Sequence, residues 1–580
     1  MTPALVAVLC IAVYALGYRY YARFLSEKVF HLDDARETPA HTEQDGVDYV
    51  PTQRSVLFGH HFASITGLAP MLGPAVAVIW GWVPALIWVV LGALFIGCVH
   101  DFSALVVSLR ARGLSVGSVA EGVIGKRARI LFLLIIFFGV SLAMGVFVFV
   151  IAKLFTVKMY PQAVLPSGFL IIVALGAGYL LYRRGMRLLP VALVGFALEL
   201  FGIWLGTRYP TMGFSDWPSA TTWTWILLAY GFSAAVLPVW VLLQSRDFLN
   251  GLLLYLGVGL AYIGLFVGDY SFSAPAINPS PEGAPPMLPF VFIVIACGAA
   301  SGFHGLVSSG TTAKQLNKES DARPIAYGGM IGESMLGLLA VLACTAGIGD
   351  ADVWQSHYGS WHAAAGLPAK LGAFISGTTH FLSSLGIDAT LGTALVAMVV
   401  VSFALTTLDS ATRLLRFNIE ELAAAMGFRK TLNRYLVSLL ACASIAFFAF
   451  FKVGGKPAGL ALWGLFGTTN QLLASLTLIM VTVYLRFRRW PTWPTALPAV
   501  FMLASTLIAM VTNLMGFVSG AQTADDATGY ILLAVVGGIL LLLGVWLVIE
   551  AAFVLMKPVD RVRGVSVALS SLSDEGSEQL

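Results

Sequence analysis

Two adjacent histidines, His60 and His61, stand in the largely apolar stretch RSVLFGHHFASITGLAPMLGPAVAVIW. Histidine titrates near physiological pH. One that faces a cavity can carry a coupling proton or pair with a substrate carboxylate. Neighbouring helical residues point about 100° apart, which argues against both ligating one metal. An interfacial pair with no chemistry is the alternative reading. Ser64, Thr66, Gly67, Pro70, Gly73 and Pro74 follow. Proline removes a backbone donor and glycine weakens a helix, so this spacing predicts a helix interrupted near its middle, with polar groups at the interruption. A half-helix beginning near Pro70 to Gly73 would present free N–H groups and a positive dipole end to a carboxylate.

The stretch CGAASGFHGLVSSGTTAK, residues 297–314, carries Ser301, His304, Ser308, Ser309, Thr311 and Thr312. Hydroxyls near unwound backbone can line a cavity or bind a small cation; they can equally bond back to their own helix or let helices pack closely. Asp101, beside His100, is read either as a partner of Arg110 or Arg112 or as part of a gate. Glu199 and Glu333 lie deeper, and carboxylates at that depth are candidates for ion coupling. QSRDFLN sets Arg246 against Asp247, and LTTLDSATRLLRF sets Asp409 four residues before Arg413. Each reads as a local ion pair or as a cytoplasmic gate. YGFSAAVLPVW, with Gly231, Ser233 and Pro238, is expected to be a second interrupted helix. Asn470 and Gln471 are expected to join helices.

These residues need membrane helices to position them. The chain is 58% hydrophobic and 11% charged, against roughly a quarter charged in soluble proteins. The class is all-α polytopic membrane protein, with about fifteen spans. The +4 charge sits in short loops between apolar segments, so it does not imply nucleic acid. The five cysteines, including Cys297, lie in apolar segments without metal-ligand spacing and are read as reduced core residues. There is no phosphate loop, dinucleotide fingerprint or HExxH; transport would have to run on an ion gradient.

Residues 1–53 form a retained first helix and a loop, 54–206 and 223–408 two repeats joined by an extracellular loop at 207–222, 409–556 the C-terminal helices and 557–580 a polar tail. Five helices in each repeat, running in opposite senses, make the arithmetic of an inverted repeat. Cations occupy alternate loops, which puts the N-terminus outside and the C-terminus in the cytoplasm. The loop 348–387 is expected outside, with an interfacial or re-entrant helix. Its His357, His362 and His380 are either metal ligands or solvated.

FGHHFASITGLAPMLGP, QSRDFLN, CGAASGFHGLVSSGTTAKQL, LTTLDSATRLLRF and FGTTNQLLA, collinear through residues 55–485, together resemble the carbon starvation protein A family. The resemblance implies a five-plus-five, LeuT-like core of the amino-acid, polyamine and organocation superfamily, with one extra N-terminal helix and about four C-terminal ones. It also implies an inner-membrane importer of peptides, or of pyruvate with protons, induced when carbon is short. By resemblance, His60, His61, Ser64 and Gly67 fall on the family's broken-helix motif, Ser301, His304, Ser308 and Thr311 on its second, and Asp409 and Arg413 on its third. ASITGLAP stands where AAIAGAGP is expected, and QSRD where QPRD is expected. The reading is a proton-coupled secondary importer, not an enzyme, with no cofactor and with Na⁺ as the other coupling ion. A nutrient sensor without net transport, and a membrane redox or metal protein using His60, His61 or His304, are the rivals.

Overall fold

A run of some 20 apolar residues can enter a bilayer only by closing its backbone hydrogen bonds within itself. In the computed structural model, eleven helices among the described residues are long and apolar enough to cross a membrane, or twelve if the bent pair Arg54–Ile65 and Ala69–Trp80 is one span. The chain is a multi-pass membrane protein. At the three other expected positions stand Ala220–Val236, the pair Met287–Val294 and Gly302–Gly310, and the short apolar helix Arg434–Ala449. The structure describes residues 1–557 except 47, 239–240, 362–366, 429–432, 454–455, 458 and 525.

The helices sort by burial. Along their most apolar windows, Ala389–Ala425 and Leu462–Phe487 are 89% and 94% buried, whereas Pro3–Val29 and Thr528–Met556 are 22% and 33% buried. The first two are therefore wrapped by protein, and their hydroxyls and charges face other helices. The last two present apolar surface outward.

Among the described residues, two spans are interrupted. The first bends by 47° between Ile65 and Ala69, where the turn before Pro70 cannot continue the ladder. The second interruption corrects the sequence expectation. Ala220–Val236 runs unbroken through Gly231 and Ser233 and ends before Pro238, so that proline follows a helix end. The mid-span break lies instead at 295–301, between Met287–Val294 and Gly302–Gly310, where Gly298 takes φ +89°. The two breaks touch. A Cβ added to Gly73 would sit 2.6 Å from the Val294 carbonyl oxygen, and one added to Gly298 would sit 3.5 Å from Pro70 Cα.

An interrupted helix leaves carbonyls without partners. Gln471, on Gly459–Phe487, answers several of them: its Nε2 donates to the carbonyls of Phe292 at 3.1 Å and Ala300 at 3.2 Å. Asn470 Oδ1 accepts the Phe303 N–H at 3.0 Å. The expected joining role of these two amides thus takes the form of capping the break.

In the 348–387 loop, Ala351–Tyr358 and Leu367–Ser383 are helical, the latter burying Leu371, Phe374 and Phe381. His357 is exposed, His380 Nδ1 lies 3.0 Å from the Gly347 carbonyl, and His362 lies outside the described residues. Among the described residues, these histidines form no metal cluster.

Candidate functional site

The angle between adjacent helical residues sends the two histidines to different neighbours. His60 Nδ1 lies 2.9 Å from Asp247 Oδ2, on Leu243–Val267. Ser64 Oγ donates to the same oxygen at 3.5 Å. His61 Nδ1 lies 2.8 Å from the Thr312 hydroxyl. The Nε2 atom of each ring has no protein partner. His60 lines a cavity, together with Asp48, Leu243, Thr311, Lys314 and Arg413.

The expected local ion pairs are not the ones formed. Arg246 pairs with Asp409 rather than with adjacent Asp247. Tyr230 donates to Asp409 Oδ2 at 2.6 Å, and Arg246 Nη1 donates to the Tyr230 hydroxyl at 2.5 Å. Arg413 leaves Asp409 and donates to the carbonyls of Ala234, at 2.9 Å, and Leu237, which end the Ala220–Val236 helix. Spacing of i+4 makes two residues neighbours on one surface, but a buried charge takes whichever partner best replaces water. For Arg413 that partner is a set of helix-end carbonyls; for Asp409 it is a guanidinium and a phenol.

Asp101 is corrected in the same way. Its two oxygens lie 2.8 Å from His100 Nδ1 and 2.8 Å from His304 Nδ1. Arg110 pairs with Glu319 at 2.9 Å instead, and Arg112 faces Glu43. His304 Nε2 points to Glu333, 3.2 Å away. All three residues of this Asp101–His304–Glu333 row are fully buried.

The remaining candidates divide. Ser301 donates to Asn470 Oδ1 at 3.3 Å, and Ser309 and Thr311 bond back to Gly305 and Val307 carbonyls. Ser233 is exposed and bonds back to Ala229, so it does not belong to the buried polar set. Thr66, Ser308, Thr407 and both oxygens of Glu199 are buried without protein partners. Gly67 is hemmed in, for a Cβ there would lie 2.7 Å from Thr407 Oγ1. Sequence reasoning passed over Tyr230, Thr407 and the chain in which Ser402 donates to Asn250 and Asn250 to Thr406. A tyrosine in an apolar helix carries no signal by itself, but a run of Ser and Thr between 402 and 412 did.

A family model described as carbon starvation protein CstA matches residues 2–355 and 360–509. A peptide transporter CstA of Bacillus subtilis (strain 168) is 32% identical, over 95% of this chain and 96% of its own. One from Helicobacter pylori (strain J99 / ATCC 700824) is 33% identical, over 87% and 81%. The pyruvate/proton symporter BtsT of Escherichia coli (strain K12) is 31% identical, over 87% and 81%.

Proposed function

The chain belongs to the carbon starvation protein CstA family, and on that premise we propose that it is a secondary transporter importing a small carboxylate-bearing nutrient, a short peptide or pyruvate, together with a proton. The observation that carries this reading is the buried His60–Asp247 pair at the first helix break, beside a cavity and near the Arg246–Asp409 pair.

Protonated at both nitrogens, His60 is a cation held by Asp247, and its Nε2–H is free to meet a substrate carboxylate. Loss of that proton removes the cation and the donor together, so substrate and proton leave together. The Arg246–Asp409–Tyr230 cluster and Arg413 form the seal whose contacts must open and close. Glu199 is a further proton acceptor on this side of the bundle. Thr66 and Thr407 suit a small cation, which keeps Na⁺ as the competing ion.

Fifteen spans, an outside N-terminus, a cytoplasmic C-terminus and an inner-membrane location complete the reading. The facing breaks favour a shifted inverted repeat. The first unit runs from the broken pair Arg54–Trp80 to Lys126–Leu154 and continues with Ala220–Val236 and Leu243–Val267; the second runs from Met287–Val294 to Gly459–Phe487. The 161–208 hairpin is then an insertion. Each unit so drawn opens with its interrupted helix, as the 54–206 and 223–408 division does not.

Counterflow in proteoliposomes, with labelled pyruvate and dipeptides and imposed pH or sodium gradients, tests this. Uptake driven by acid outside supports it. Flux of neither substrate class under either gradient rejects it.

A further inference from the structure

Cys297, His304 and Glu333 come from three different settings. Cys297 lies in the unwound 295–301 segment, His304 in the first turn of Gly302–Gly310, and Glu333 on the neighbouring helix Gly328–Ala346. All are buried, and a thiol sulfur, an imidazole nitrogen and a carboxylate oxygen from them converge within 4.8 Å of one another.

Three features distinguish this from a chance polar contact. His304 Nε2 and Glu333 Oε2 are 3.2 Å apart without a well-aligned hydrogen bond between them, and the Gly298 backbone and the Cys297 thiol lie against the same two groups. An imidazole nitrogen and a carboxylate oxygen set side by side around a common space have this geometry. His304 is also held from behind. Its Nδ1 lies 2.8 Å from Asp101, itself anchored by His100 at 2.8 Å. A carboxylate on Nδ1 fixes the tautomer that leaves Nε2 free to ligate. Cys297 is similarly supported: its Sγ donates to Ser301 Oγ at 3.3 Å and lies 3.7 Å from Asn470 Nδ2.

We propose that Cys297, His304 and Glu333 form a binding site for a divalent transition metal of zinc-like character, which ties the second helix break to Gly328–Ala346. Thiolate, imidazole and carboxylate together suit zinc or cobalt rather than calcium or magnesium, which take oxygen alone. One thiolate and one carboxylate neutralise a divalent ion, and the Asp101 carboxylate lies beyond His304, where His100 holds it. Binding releases the Cys297 proton to solvent, and the Ser301 hydroxyl and Asn470 amide then donate to the sulfur. The site is separate from the His60–Asp247 pair and does not depend on the transport reading.

The full-length protein, purified in detergent with a chelator and then dialysed against Zn²⁺ or Co²⁺, tests it by metal content per chain and by absorption. The wild type should retain one ion per chain, and the Co²⁺ form should show the charge-transfer absorption of a thiolate–cobalt bond. Cys297→Ser and Glu333→Gln should lose the retained ion, while Cys344→Ser, another buried cysteine, should keep it. Asp101→Asn should weaken binding by roughly 10–100-fold. Wild type retaining no ion, Co²⁺ bound without the thiolate absorption, or Cys297→Ser retaining both ion and absorption would each overturn the proposal. The wild-type Co²⁺ spectrum decides the matter by itself if a variant does not fold.

Discussion

Arg246 and Asp409 are paired across 163 residues of sequence, deep in the bundle, although each has an opposite charge close by in its own segment. Removing one partner of a buried pair leaves an uncompensated charge and costs about 3–5 kcal/mol, whereas removing both is far milder. Asp409→Asn and Arg246→Gln should each lower Tm markedly, and the double variant should be more stable than either single one. Equal losses that simply add in the double variant would show that the two side chains are not energetically coupled.

His60 and His61 should separate cleanly in transport assays. His60→Gln should abolish acceleration by an acid exterior while leaving some substrate exchange at fixed pH. His61→Gln should keep the wild-type pH profile, because His61 is held by the Thr312 hydroxyl whereas His60 faces the Asp247 carboxylate. Identical pH profiles in wild type and both variants would remove the proton role from this pair.

The contact between the two breaks is a target of its own. Gly73→Ala places a methyl 2.6 Å from the Val294 carbonyl, and overpacking of this kind typically costs 1–3 kcal/mol. Transport should fall with a lowered Tm. Gly538→Ala, where the added carbon meets nothing within 4 Å, should change neither.

Gln471→Leu keeps the size of the side chain but removes the donor shared by the carbonyls of Phe292, Ala296 and Ala300. A buried acceptor left alone costs about 1–3 kcal/mol. A lower Tm than wild type is expected, read by thermal unfolding in detergent; an unchanged Tm would mean that the break does not depend on this amide.

Lys370 lies on the Leu367–Ser383 helix, outside the long spans, with its ammonium 5.6 Å from the Trp361 ring. Burial lowers its pKa from 10.5 to about 7. Between those values the unfolded chain binds the proton and the folded chain does not, so this residue makes stability rise with pH from about 7 towards 10.5. Lys370→Met should flatten that rise and raise Tm most at and below pH 7. A wild-type Tm with the same slope as the variant would exclude the effect.

Composition and periodicity alone determined that the chain is a polytopic helical membrane protein, because a bilayer forces apolar runs into helices. The GLAPMLGP spacing located the first break, since proline and glycine act on their own backbone. Local chemistry also named the buried polar residues around it. Partners were another matter. Asp409 with Arg413 and Arg246 with Asp247 were the natural pairs in one dimension, and tertiary packing replaced both with Arg246–Asp409 and His60–Asp247. The second break moved from 231–238 to 295–301 because Gln471 and Asn470, far along the chain, supply the hydrogen bonds an unwound segment requires. Cys297 read as one apolar residue among others until the fold set it beside His304 and Glu333. Sequence fixes which groups must leave water; only packing decides which of them meet, because desolvated charges and open carbonyls choose partners by distance in space.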